Sequence, residues 1–158
     1  VPTGDLSFWM LLAHAVATGV MAGVIWTVQL VHYPLFALVG EEGWCAYERQ
    51  HMRRITWIVA PAMFAELATS VLILAWRPEG VPAWMAWAGV ALVAVNWVST
   101  MSTQGPLHVR LADGFDPRLH DRLVRTNWVR TASWSARAVL APAMLVAAEF
   151  PAGGGSAA

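Results

Sequence analysis

Lysine is absent from this chain of 158 residues; all ten basic side chains are arginine. Charge of either sign is scarce, at 13% of residues, about half the share usual in soluble domains. Ten acidic residues cancel the ten basic ones, so no net field favours nucleic acid or an acidic partner. The single cysteine, Cys45, excludes an intrachain disulfide and any paired-cysteine metal or redox motif. The chain also lacks a phosphate-binding glycine loop, a Gly-x-Ser-x-Gly elbow and a His-Glu-x-x-His pair, which leaves hydrolase chemistry without support.

Apolar sequence is what the chain has in abundance, at 58%. Four stretches, roughly Leu6–Phe36, Arg54–Trp76, Ala83–Gln104 and Trp128–Phe150, are long enough to cross a bilayer, which takes about 20 residues. The expectation is an all-α integral membrane protein, a four-helix bundle of two helical hairpins. Residues 1–150 form its single domain, and residues 151–158 read as a flexible Gly/Ser tail. The first stretch lacks a basic leader and is too long for a signal-peptide core, so it reads as a retained helix. Arg49, Arg53 and Arg54 flank the first loop, and Arg110, Arg118, Arg122 and Arg125 the third, while the opposite side has only Arg77. The positive-inside rule then puts loops one and three in the cytoplasm and both termini outside. Ten tryptophans fit an aromatic belt at the helix ends, with Trp26, Trp87, Trp97 and Trp134 deeper, as packing or as the wall of a flat pocket.

Local signals set the boundaries. Asp5 or Ser7 is a cap for the first helix, and Pro34 is expected to end or kink it. Between Gly40 and Arg53, Trp44, Tyr47, Glu48 and His51 recur at helical spacing, so the second helix should extend beyond the membrane. Arg77-Pro78-Glu79-Gly80 reads as a tight turn. The third helix is expected to stop near Gly105-Pro106. Asp116-Pro117 is an N-cap with proline at N1, which starts the fourth helix before its membrane stretch. A weak internal repeat follows: Tyr33-Pro34-Leu35 corresponds to Gly105-Pro106-Leu107, and Gln50, Arg53 and Trp57 have the spacing of Asn127, Arg130 and Trp134.

Each segment has one polar side. His14 and His32 share a helical face, as do Glu48 and Glu66, because positions 18 apart return after five turns. Gln29 lies near the first face, and Asn96, Asn127 and Thr131 mark the others. In lipid such sides turn inward. Glu66 and Arg137 fall at similar depth, and a lone charge there costs at least ~2.5–3.5 kcal/mol. They are expected to pair, bridged by Asn96, Gln29 or water, or else Glu66 keeps a proton. His32, His51, His108 and His120 collect at the cytoplasmic end. Glu48-x-x-His51 has the ligand spacing of di-iron bundles, but a di-iron site needs two such motifs. A mononuclear metal site from His32, Glu48, His51, His108 and His120 is one reading. Interfacial histidines bonding to helix ends or lipid phosphate are the other.

The run Pro106-Leu107-His108-x-Arg110-Leu111, with Asp116, Leu123, Asn127-Trp128, Arg130-Thr131 and Arg137, resembles small bacterial four-helix membrane proteins related to anthrone oxygenases. His32-Tyr33-Pro34-Leu35, Tyr47-Glu48-x-x-His51-x-x-Arg54 and Pro61 resemble the matching first half. The resemblance implies a four-helix membrane fold, oxygenation of a flat aromatic substrate and a bacterial inner membrane; it assigns no catalytic residue.

Three functions follow as expectations. The first is an oxygenase-like or redox protein holding an apolar aromatic or quinone-like ligand, with metal ion, haem or quinone as cofactor. His51, Glu48 and Glu66 would serve its chemistry; Gln29, Asn96, Asn127, Arg130, Arg137 and Trp134 would bind ligand. The second is a non-catalytic subunit of a larger membrane complex, or a homo-oligomer. The third is a small transporter coupled to protons through Glu66.

Overall fold

The computed structural model describes residues 4–150, with side chains from residue 6 onward. The described residues are helical and contain no strand. Six α-helices, α1 (Gly4–Thr27), α2 (Tyr33–Phe36), α3 (Glu41–Ala75), α4 (Ala83–Ser99), α5 (Gly105–Leu111) and α6 (Pro117–Glu149), make four rods. A π-helical turn at Val28–His32 joins α1 to α2, and another at Thr100–Gln104 joins α4 to α5. α1 packs against α3 and α6, and α4 packs against the same two helices. Short links at 37–40, 76–82 and 112–116 make successive rods antiparallel.

Three rods, Leu6–Phe36, Glu41–Ala75 and Ala83–Leu111, are long and apolar enough to cross a membrane. The fourth expected span lies in α6, which is not among these three. Its buried side carries Asn127, Arg130, Thr131, Ser133 and Arg137, which dilutes its apolar content.

The prolines end neither the first rod nor the third. Pro34 and Pro106 lack the N–H that would close an ordinary helical turn. Just upstream, Tyr33 N–H reaches back five residues to Val28 O, and Gly105 N–H to Thr100 O. The wider π turn re-phases the hydrogen-bond ladder before each proline, and the helix continues. The same device occurs in both halves, so the proline element of the repeat is real in the backbone. The other proposed equivalence fails. Gln50, Arg53 and Trp57 are exposed, whereas Asn127, Arg130 and Trp134 are buried. In the first turns of α3 and α6 a shift of 79 residues instead sets buried Trp44, Glu48 and His51 on buried Leu123, Asn127 and Arg130; further along it fails, setting buried Met63 and Glu66 on exposed Pro142 and half-buried Leu145.

Helix ends follow local chemistry. The Asp116 carboxylate accepts from Arg118 N–H and Leu119 N–H, and Pro117 occupies the first turn. Glu41 opens α3, so the predicted extension is continuous with the rest of that helix. Ser7 lies inside α1 rather than at its cap; the Asp5 side chain and residues 151–158 fall outside the described residues. Gly80 has φ of +82°, and a Cβ there would strike the Ala147 carbonyl, so the turn before α4 requires glycine.

All four rods meet at one buried knot. Arg137 of α6 pairs with Glu66 of α3, and both are almost wholly buried. The Thr18 hydroxyl of α1 donates to the other Glu66 oxygen. Arg137 Nη1 donates to Gly89 O of α4 at 2.5 Å, and Nη2 to Ser70 Oγ at 3.2 Å. His14 of α1 accepts weakly from Arg137 at 3.4 Å and donates through Nδ1 to Thr69 Oγ1 at 2.7 Å. The expected pairing is therefore present, but its bridges are Thr18, His14, Ser70 and a carbonyl. The Asn96 amide has no protein partner, and Gln29 bonds elsewhere. Breaking a buried pair strands the remaining charge. Glu66→Ala is expected to cost about 3–5 kcal/mol in unfolding measured in mild detergent. Glu66→Met combined with Arg137→Met should recover most of that loss. Single and double variants of equal stability would show that the pair does not carry the packing.

Candidate functional site

The rods separate on one side, above the knot. A cavity of about 510 Å³ lies there, floored by Met21, Ile25, Val28 and Tyr33 of the first rod. α3 supplies His51, Ile55, Val59 and Met63; the third rod supplies Trp97, Thr100, Gln104 and His108; α6 supplies Arg130. The volume is that of an ordinary small-molecule site, mostly apolar with a few polar groups. The polar groups gather at one end. The other end is closed by Phe64 and Trp97, packed edge to face at 5.1 Å.

At the polar end runs a hydrogen-bonded chain. His108 Nδ1–H donates to Glu48 Oε1 at 2.5 Å, which leaves His108 Nε2 to accept from the Tyr33 hydroxyl at 2.9 Å. Glu48 is fully buried, so this bond is its main compensation. Beside the chain, His32 Nε2 and His51 Nδ1 are 2.8 Å apart. His120 turns away and donates to the Tyr33 carbonyl at 2.8 Å. Phe36 packs against the group, with its ring 5.1 Å from both His32 and His51, 6.2 Å from His120 and 6.4 Å from His108. That packing explains the outcome for the expected metal ligands. Among the described residues no three His, Cys, Asp or Glu side chains converge on a point a metal could occupy. His32, Glu48, His51, His108 and His120 are neighbours, but they bond in pairs or to a carbonyl, around an aromatic ring.

Arg130 differs from every other buried charge. It is 6% exposed, and no carboxylate lies within ion-pair distance of it among the described residues. Nη1 donates to Asn127 Oδ1 at 3.1 Å, and Nε has no partner. Asn127 is held by Gln29, whose Oε1 accepts from Asn127 Nδ2 at 2.8 Å and whose Nε2 donates to Val124 O at 3.3 Å. Gln104 also lines the cavity. Its Nε2 donates to Thr126 at 2.9 Å, while its buried Oε1 is unpartnered. Beside the polar end, Arg130 Nε, Gln104 Oε1 and Glu48 Oε2 are buried without a hydrogen-bond partner.

Of the residues expected to bind ligand, only Arg130 lines this cavity. Gln29 and Asn127 stand behind it and set its position. Trp134 is core, packed with Met21, Ile25 and Met63. Arg137 belongs to the knot, and Asn96 is buried without a partner. Among the residues expected to serve chemistry, His51 lines the cavity, Glu48 orients His108, and Glu66 lies away in the knot. Tyr33 and Gln104 were legible only as members of the two proline segments. One of two tyrosines, placed directly before a proline in an apolar run, was the signal available.

A scan against protein-family models, a search of curated proteins and a search of solved structures each find no match for this chain.

The Glu48–His108 bond gives a direct test. Glu48→Leu leaves the His108 N–H without an acceptor and is expected to lower stability by about 1–3 kcal/mol. Glu48→Gln keeps an acceptor in place and should cost less. Thermal unfolding that ranks the two variants equally would rule out the bond as drawn.

Proposed function

We propose that this protein lies in a bilayer as a four-helix bundle and binds an apolar, oxygen-bearing ring compound in the cavity under Arg130. The three apolar rods support the membrane placement. The arginine-rich ends of α3, α5 and α6 face the cytoplasm on the positive-inside rule, and the all-arginine charge pattern fits a bacterial inner membrane.

The observation that carries the ligand reading is Arg130 itself. A buried charge without a partner is unfavourable by several kcal/mol, and such a cost is characteristic of functional sites. A quinone carbonyl, phenol or phenolate oxygen would accept from Arg130, and a hydroxyl on the same ring would donate to Gln104 Oε1. The apolar walls would hold the ring. Tyr33, backed by His108 and Glu48, would hold or pass a proton at the ring oxygen. These groups support binding of a quinone-like compound, and with it the reading of an oxygenase-like or redox protein.

Menadione, an untailed quinone, is a suitable probe when read as the part of the tryptophan quenching that is lost in Trp97→Phe, since Trp97 lies at the cavity wall and other tryptophans face outward. In lipid nanodiscs the quenching should saturate. Arg130→Met should weaken binding by about tenfold or more, the loss of a charge-assisted hydrogen bond. The same variant should leave the ligand-free protein as stable as before, or more so, because an unpaired buried charge is gone. Unsaturable quenching, or equal affinity in the variant, would refute the reading.

A further inference from the structure

Two proton-carrying chains start at the polar end of the cavity, and they end in different places. Tyr33 leads through His108 to Glu48. Glu48 is fully buried and its second oxygen has no partner, so this chain stops inside the protein. His51 starts the other. It lines the cavity, and its Nδ1 lies 2.8 Å from His32 Nε2. His32 is half-buried and lines a second recess, of about 580 Å³. Ala46, Gln50 and Arg54 in the wall of that recess are exposed and lie four apart on one face of α3. They belong to the arginine-rich end, which the positive-inside rule sets at the cytoplasmic water boundary.

The wall between the two spaces is thin. His51 and Ile55 line both of them, so the polar part of the wall they share is an imidazole. Neither space is lined by a carboxylate, which leaves histidine as the side chain able to exchange protons near neutral pH. His108 is bonded at both ring nitrogens. The His51–His32 pair has two free ends, His51 Nε2 and His32 Nδ1. Neither bonds to another group among the described residues, and neither is enclosed as Arg130 Nε and Gln104 Oε1 are. Tyr33, His108 and Arg130 stand around the pair in the cavity, and Tyr47 and Arg54 in the recess.

We propose that His51 and His32 form the proton route between the ligand cavity and the cytoplasmic water. This rests on the proposed binding site and adds how that site exchanges protons. A neutral imidazole has one N–H and one bare nitrogen, so it accepts at one edge while it donates at the other. A phenol held at Arg130 gives its O–H proton to His51 Nε2. His51 Nδ1–H passes to His32 Nε2, and His32 Nδ1–H passes to water in the recess. Three bonds to hydrogen break, three form, and no electron moves. The reverse sequence delivers a proton, and rotation of the two rings restores the first tautomers. Tyr33, His108 and Glu48 hold a proton at the ring oxygen; the histidine pair renews it.

The test uses 4-nitro-1-naphthol, a two-ring phenol that is coloured when ionised, in nanodiscs subjected to a rapid jump in pH. The signal is the part of the colour change that is lost in Arg130→Met. In His32→Phe and His32→Ala the bound probe is expected to change charge about 100-fold more slowly than in wild type, with the same final absorbance at each pH. Imidazole in the buffer should restore the rate in His32→Ala, where it can enter the recess, and not in His32→Phe. If the signal depends on Arg130 but the His32 variants keep the wild-type rate, the inference falls while the proposed site stands. It falls equally if imidazole leaves His32→Ala slow. A final absorbance that shifts together with the rate would show that the pair sets the acidity of the ligand rather than carries its proton, and would also overturn it. If no part of the wild-type signal depends on Arg130, the proposed site falls and takes the inference with it.

Discussion

The Glu66–Arg137 pair is the constraint on which the rest of the arrangement depends. Its network includes a residue from every rod: Thr18 and His14 from α1, Glu66 and Ser70 from α3, Gly89 from α4 and Arg137 from α6. Apolar contacts alone tolerate sliding by a residue or a turn, because one aliphatic side chain can replace another. A buried charge does not tolerate it, since displacement by one turn of about 5.4 Å removes every partner. The small residue at Gly89 belongs to the same logic. A Cβ there would meet Met144 at 3.3 Å and Arg137 at 4.0 Å, so glycine lets the guanidinium approach the α4 carbonyl.

With register fixed at one level, the next level along α6 is determined. Arg130 lies seven residues before Arg137, two turns and roughly 10 Å away on nearly the same face. The two arginines share a helix side and differ in what faces them. Opposite Arg137 stands a carboxylate. No carboxylate among the described residues lies within ion-pair distance of Arg130; Glu48 bonds to His108 through Oε1 at 2.5 Å, and its Oε2 is buried without a partner. One helix face thus carries a paired arginine at one height and an arginine without a carboxylate at another.

The fold was largely legible from hydropathy and from caps. Asp116-Pro117, the extension of α3 and the inward polar sides all follow from rules that act within a few turns. The continuation of helix past Pro34 and Pro106 was not legible, because proline signals a missing donor but not the π turn that accommodates it. The site was legible as a region and not as a set of contacts. Side-chain depth along a helix predicts which residues share a level, and so Glu66 met Arg137. It does not predict rotation to within half a turn, which decides whether Trp134 lines a cavity or fills a core. The histidines illustrate a further limit. Their clustering was visible in sequence, but not their partners: His32 bonds to His51, His108 to Glu48 and Tyr33, and His120 to a backbone carbonyl.

The 79-residue correspondence gives the site its chemical sense. It sets Glu48 and His51 of α3 against Asn127 and Arg130 of α6, so the two halves supply different chemistry at matched positions. Had α6 also carried an acid there, Arg130 would be neutralised and the cavity would be another structural pair. Asn127 instead offers Arg130 a neutral oxygen at 3.1 Å, enough to orient the guanidinium without cancelling its charge. Gln29 fixes Asn127 in turn, so the orientation is inherited from the π turn of the first rod. An amide there leaves the guanidinium hydrogen-bonded but its charge uncancelled.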